Sequence, residues 1–203
     1  MSRPGGELTT TSYAILGLLA IRPWTTYELA KQMDRSLGRL WPRAESKLYE
    51  EPKKLVAFGL ARASNEMVGR RPRTIYSITA RGRRALREWL ATPGAPPSLE
   101  SEQLLKVFFA EHGTKRDLLA TLAGIRDWAE AQRAVHIAVA QQYVAGEGPF
   151  PERTAITSLT GRFLFEFNET LRRWAGDALA TVKGWPDDLG EAEPDWRMLE
   201  EVA

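Results

Sequence analysis

LARASNEMVGRRPRTIYSITARGRRAL, residues Leu60–Leu86, is the stretch whose reading decides the fold. Leu60 to Met67 reads as a strand, and Thr74 to Ile78 reads as a second, with alternation at Ile75 and Tyr76. Between them lies VGRRPR, Val68 to Arg73. Gly69 and Pro72 hold the turn and keep its tip thin. Arg70, Arg71 and Arg73 crowd the same short span. Thr79 then caps a helix that runs through Ala85, Leu86, Trp89 and Leu90.

Upstream, the pattern is helical. Thr11 or Ser12 caps a first helix carrying Ile15, Leu16, Leu18 and Leu19, and Arg22–Pro23–Trp24 breaks it. Thr25 or Thr26 caps a second, which carries Tyr27, Leu29, Ala30 and Met33, and Glu28 fits a capping box with Thr25. A polar joint follows at Asp34–Gly38. A third helix is expected from about Arg43 to Phe58, with Leu48, Leu55 and Val56 inward and Gly59 as its left-handed stop. Pro52 interrupts it, because an interior proline removes a backbone bond and costs about 3 kcal/mol. The helix must therefore kink near Leu48, or restart after Glu50–Glu51 with proline in its first turn.

Three helices and a hairpin with a basic tip describe a winged helix-turn-helix. A third helix can enter the major groove and offer its first turns to base edges. A thin arginine-bearing tip can reach flanking phosphates or the minor groove. The candidate DNA contacts on the hairpin are Arg70, Arg71 and Arg73.

Downstream the character changes. ATPGAPPS, Ala91–Ser98, holds three prolines and a glycine and reads as a linker. Helices are expected over Leu99–Glu111, Thr114 to about Val144, and Arg153 to Lys183. Along the last, positions 156, 159, 163, 167, 171 and 174 keep one apolar stripe for five turns. Helices of about thirty residues span roughly 45 Å, and such a stripe usually meets another chain, so a homodimer is expected. The fold class is mainly α with a small β-hairpin. The expected divisions are a DNA-binding unit over 1–91, a Pro-rich linker over 92–99, a helical dimerisation and effector unit over 100–185, and an acidic tail over 186–203.

Charge follows the same division. The chain has 203 residues and a formal net charge of +2. Residues 1–97 hold 17 Lys+Arg against 8 Asp+Glu, a net of +9, and residues 98–203 hold 11 against 18, a net of −7. A basic half suits a polyanion such as double-stranded DNA. There is no cysteine, which removes disulfides, thiolate metal sites and cysteine nucleophiles. His112 and His136 show no metal spacing, and the nucleotide-binding, zinc-protease and serine-hydrolase motifs are absent. No enzyme activity, metal or cofactor is therefore expected. The apolar run Tyr13–Ile21 is about half of a membrane span, and the segment before it lacks the features of a signal peptide. No membrane partner and a cytoplasmic location are expected. Among seven tryptophans, Trp128 and Trp174 could join Phe163 and Phe167 around a small aromatic ligand; ordinary packing is the competing reading.

The stretches SYAILGLLAIRPWTTYELAKQM (Ser12–Met33), SKLYEEPKKLVAFGLA (Ser46–Ala61) and GRRPRTIYSITARGRRAL (Gly69–Leu86) resemble the PadR family of bacterial transcriptional regulators. LLKVFFAEHGTKRDLLATLAGI resembles the virulence-activator-type helical domain of one subgroup. The resemblance implies a homodimer on an inverted-repeat operator, acting as a repressor, with release by a small aromatic effector in several members. It implies a recognition helix at about Arg43 to Phe58 that offers Arg43, Ser46, Lys47, Tyr49 and Lys53 to DNA, with Tyr49 at the DNA face and Lys53 and Lys54 as the family's basic pair. It also implies that at least one of Arg81, Arg83 and Arg84 touches phosphate or steadies the wing. Pro52 departs from the family pattern, which has a helix former there. The alternative is a winged-helix interaction module that binds proteins and not specific DNA. Arg71→Ala is expected to weaken binding to every duplex and to flatten the slope of log K against log salt by about one. A titration of binding against salt checks this, and an unchanged slope would remove the wing assignment.

Overall fold

The computed structural model describes residues 7–38, 40, 41, 49–68, 71–196 and 200. The chain divides into two compact units, residues 1–97 and 98–203.

In the first unit, α1 (Thr10–Ile21) is the central element. Past its first turn it is almost wholly apolar, so it must be covered on several sides. It packs against α2 (Thr26–Ser36), α3 (Glu51–Ala57), α4 (Ala80–Leu90) and β3 (Arg71–Ile78). Ile15, Leu16, Leu19, Leu29, Met33 and Leu55 are fully enclosed. Its cap is Thr9, one turn earlier than Thr11 or Ser12. Ser12 is the third helical residue, and its hydroxyl accepts from the Thr9 N–H at 3.0 Å while Thr9 Oγ1 accepts from the Ser12 N–H at 3.3 Å. The Thr25–Glu28 capping box forms as expected. The Thr25 N–H holds the Glu28 carboxyl below its ordinary range.

The sheet has three strands, in the order β1–β3–β2, all antiparallel. The hairpin is β2 (Ala61–Val68) with β3, in a register running from Ala61 opposite Ile78 to Val68 opposite Arg71. The short β1 (Trp24–Thr25) pairs with Tyr76 and Ile75. Sequence reading treats Trp24 only as a helix breaker. A two-residue strand is too short for alternation to reveal, and its signal is tertiary. The buried Trp24 ring donates from Nε1 to Leu18 O at 2.7 Å, and the Arg22 guanidinium sits 3.6 Å over that ring.

Two glycines are needed for shape. Gly59 ends α3 at φ 69°, the left-handed region expected of it. Gly82 lies where a Cβ would come within 2.1 Å of Leu60 O, so the first turn of α4 lies directly on the backbone entering β2. Thr79 caps α4 through the Gly82 N–H at 3.0 Å.

The third helix differs from expectation. Among the described residues it covers only Glu51–Ala57, with Tyr49 and Glu50 in a turn before it. Pro52 lies in its first turn, where its missing N–H has no helical acceptor to lose. The first backbone bond runs from the Lys54 N–H to Glu50 O at 3.0 Å. Pro52 thus stands in a first turn, as the second of the two expected arrangements has it, and Leu48 lies outside the described residues. Glu51 is 5% exposed and accepts from Ser12 Oγ at 2.6 Å.

The second unit begins with α5 (Glu102–Phe108) and is dominated by α6 (Lys115–Val144) against α7 (Thr154–Lys183). Leu118, Leu122 and Ile125 interlock with Ala175, Leu179 and Val182, so the start of α6 lies beside the end of α7. Lys115 Nζ donates to Lys183 O at 3.1 Å, a cation at a helix C-terminus. A closed ring of four charges bridges the pair midway. Arg133 meets Glu130 at 3.2 Å and Glu169 at 2.9 Å, and Arg172 meets Glu169 at 2.6 Å and Glu130 at 3.5 Å. Arg172 holds the Glu169 carboxyl below its usual range.

Ser12→Ala removes the returning half of the capping box and the donor to a buried carboxylate at once. Its expected cost is about 1–3 kcal/mol, chiefly from the stranded acceptor. Denaturant unfolding followed by circular dichroism measures it, and a loss under about 1 kcal/mol would mean that Glu51 finds another donor.

Candidate nucleic-acid interface

The hairpin carries the most exposed part of the first unit. Residues 62–67 of β2 are all exposed, and Arg73 is exposed on β3 opposite Glu66. Thr74 Oγ1 donates to Asn65 Oδ1 at 3.1 Å, which ties the strands together on that side. Gly69 and Arg70 lie outside the described residues, as does any account of the Arg71 side chain. Arg62 near the base of the hairpin and Arg81, Arg84 and Arg87 on α4 are exposed. Arg83 is exposed too, and its Nη1 donates to Ala20 O at 3.4 Å, so it also braces the end of α1.

On the third-helix side, Arg43, Ser46 and Lys47 lie outside the described residues. Tyr49 is 64% exposed, so its ring is available to a partner and not part of the core. The basic pair is split. Lys53 is exposed, whereas Lys54 is turned inward, donating to Glu7 O at 2.7 Å and lying 3.5 Å from Glu51 Oε1. Helical geometry explains the difference, since adjacent residues point about 100° apart and Leu55 fixes which face is inward. Sequence reasoning missed the polar joint at the start of α1. Trp41 Nε1 donates to Thr11 Oγ1 at 2.9 Å, beside the Ser12–Glu51 bond. No spacing rule links residues 30 or 39 positions apart, so no local signal could have found it.

The four aromatics proposed around a ligand do not come together as one wall. Trp174 packs on the Leu118–Leu179 core, while Trp128, Phe163 and Phe167 are exposed. A cavity of about 790 Å³ lies farther along the pair, between Ile137, Val139 and Tyr143 of α6 and Thr157, Ser158 and Phe165 of α7. Its hydroxyls already donate to backbone carbonyls: Thr157 to Arg153, Ser158 to Ala155, and Tyr143 to Pro149. The remaining walls are mostly apolar, with His136, Gln141 and Arg162 among the lining residues. Among the described residues, no group of three or more His, Asp or Glu could hold a metal ion, and no helix is long and apolar enough to cross a membrane.

Residues 15–88 match the transcriptional regulator PadR-like family, and residues 100–183 match the C-terminal domain of the virulence activator alpha family. Among curated proteins, the chain is 30% identical over 99 residues to the negative transcriptional regulator PadR of Bacillus subtilis, covering 48% of this chain and 54% of that one. It is 32% identical over 85 residues to the probable transcriptional regulator Rv1176c of Mycobacterium tuberculosis, covering 41% and 45%. The matches thus span about half the length of these relatives, which are regulators and not enzymes. Among solved structures, Bacillus subtilis PadR in complex with operator DNA superposes with a TM-score of 0.75 at 22% identity, covering 86% of this chain and 99% of that one. The Vibrio cholerae virulence activator AphA superposes with a TM-score of 0.64 at 25% identity, covering 86% and 98%. The PadR of Bacillus subtilis has also been solved with p-coumaric acid, at a TM-score of 0.68 and 20% identity, covering 86% and 99%.

The two lysines separate affinity from stability. Lys53→Met is expected to lower the salt slope of DNA binding by about one and leave the melting temperature unchanged. Lys54→Met is expected to do the reverse, lowering the melting temperature of the unit. Paired salt titrations and thermal melts check both, and equal slopes in the two variants would refute the assignment.

Proposed function

From the premise that the chain belongs to the PadR-like family of transcriptional regulators, with the virulence-activator-type C-terminal domain, we propose that it is a homodimeric repressor of an inverted-repeat operator. The observation that carries this reading is the hairpin. Its exposed strand residues and Arg73 stand clear of the core in a unit of net charge +9. A surface of this kind suits phosphate, and a two-fold protein suits a two-fold site. The proposed contacts are Arg43, Ser46, Lys47 and Tyr49 toward bases, with Lys53, Arg70, Arg71 and Arg73 toward backbone. The proposed division is a DNA-binding unit over 1–91, a linker over 92–99, a dimerisation unit over 100–185 and an acidic tail over 186–203.

The dimer reading is supported by the unpaired half of the long helices. The stripe along α7 is covered at Leu171 and Trp174, yet Ile156, Leu159 and Phe163 are 65%, 70% and 59% exposed. Val135, Val139 and Val144 of α6 are exposed as well. Contiguous apolar surface of this kind on a charged protein marks an interface. A small aromatic effector is proposed to enter the α6–α7 cavity, whose volume is that of a drug-sized site. It would act by favouring a spacing of the two winged units in the dimer that no longer fits adjacent major grooves.

Selection of duplexes from a random pool tests the DNA reading. An enriched inverted repeat is expected, and a pool without consensus would hand the case to a protein-interaction module. Leu159→Glu with Phe163→Glu tests the dimer. Helix content should be unchanged, sedimentation should report a monomer, and affinity for the selected duplex should fall at least a hundredfold, since half-site binding loses the linked second contact. A variant that stays dimeric would place the seam elsewhere.

A further inference from the structure

The segment that holds the expected base readers Arg43, Ser46, Lys47 and Tyr49 lies in sequence between Trp41 and Glu51. The chain is fastened just before it and just after it, and both fastenings are on adjacent residues of α1. Trp41 donates to Thr11 and Glu51 accepts from Ser12, at 2.9 and 2.6 Å. Thr11 and Ser12 are 5% and 0% exposed. Ser12 Oγ is fully committed, since it donates to Glu51 and accepts from the Thr9 N–H at 3.0 Å. Its hydroxyl therefore has a fixed direction, and a charge-assisted bond in a dry site is strong and directional. Trp41 is held by its backbone too, its N–H donating to Leu37 O at 2.7 Å at the end of α2. A Val and an Ala would fill the places of Thr11 and Ser12 but would leave the Trp41 indole N–H and the Glu51 carboxylate without these partners. What the hydroxyls add is a specified position for each end of the segment.

We propose that Thr11, Ser12, Trp41 and Glu51 form a positioning clamp on the chain at either side of the expected base readers, so that sequence selectivity depends on these four residues. The inference rests on the DNA-reading function proposed above. Base contacts are bidentate and tolerate little displacement, whereas contacts to phosphate follow charge and distance. A loosened clamp must therefore cost selectivity before it costs general affinity. Discrimination at a single base pair sets the scale of the loss.

The test uses the full chain, the duplex recovered by selection and a shuffled duplex at one salt concentration. Thr11→Val removes the acceptor at nearly constant volume, and Trp41→Phe removes the donor while keeping an aromatic ring. Each is expected to lower the ratio of specific to shuffled affinity about tenfold. The double variant is expected to lower it no further, because both remove the same bond. Affinity for the shuffled duplex should stay within about twofold, and thermal melting within a few degrees. Thr11→Ser, which keeps the hydroxyl, should restore the ratio, and it serves with Trp41→Phe if Thr11→Val does not fold. Retained selectivity in both single variants would overturn the clamp, and so would parallel losses on both duplexes with a lowered melting temperature. Wild-type protein that prefers neither duplex would overturn the DNA-reading function, and this inference with it.

Discussion

An apolar helix cannot sit at a surface, and α1 imposes that constraint on the whole first unit. Its residues from Ile15 to Ile21 carry no side chain that hydrogen-bonds with water. Such a helix must be roofed by other elements. Three helices and a strand do so, each through its own apolar stripe: Leu29 and Met33 on α2, Leu55 on α3, and Tyr76 on β3 among them. The polar side chains of α1 are confined to its first turn, where the backbone N–H groups need acceptors in any case. Capping chemistry and tertiary chemistry therefore meet in one place. Ser12 serves both with a single oxygen, which is why a cap residue in this fold also reaches a partner 39 positions away.

The second unit obeys a different constraint. Helices of thirty residues are stable only while something dry lies along them. Here the dry seam occupies the half where Leu118, Leu122 and Ile125 meet Ala175, Leu179 and Val182. It stops at the ring formed by Glu130, Arg133, Glu169 and Arg172. Beyond the ring, valines on α6 and isoleucine, leucine and phenylalanine on α7 face outward. The charged ring is thus a boundary between a packed half and a half whose apolar side chains lack cover within the chain. Charges in alternating order satisfy one another without asking either helix to open, and they set the register in which the two halves begin.

Much of this was readable in the residues. Gly59, Thr79 and the Thr25–Glu28 pair specify local geometry through their own chemistry, and each stands where that chemistry requires. The hairpin and both long helices announced themselves by period, while the Thr114–Asp117 capping box that starts α6 went unread. The errors share a cause. Thr9 was passed over as a cap because Thr9, Thr10, Thr11 and Ser12 are chemically equivalent to a rule that reads only sequence, and packing on α3 chooses among them. The strand β1 was missed because two residues have no period. Lys54 was paired with Lys53 as one basic face because lysine is almost always exposed. In the fold it turns inward to Glu7 O, 47 positions away in the chain.

Pro52 shows how one such burial serves the candidate interface. A proline in mid-helix would have broken the recognition element. Placed in the first turn, it costs no hydrogen bond and fixes where α3 starts. That start puts Glu51 against Ser12, and Glu51 in turn holds Lys54. The result bears on charge as well as shape. An acidic side chain facing phosphate would oppose binding, and a buried carboxylate without a cation nearby would be costly. Turning Glu51 inward beside Lys54 answers both demands, and it leaves Lys53 exposed on α3 as positive charge toward solvent. The adjacent lysines look like one basic patch in sequence. In the fold, one braces the buried Glu51 and the chain leading into α1 so that the other can present its charge from a helix of fixed origin.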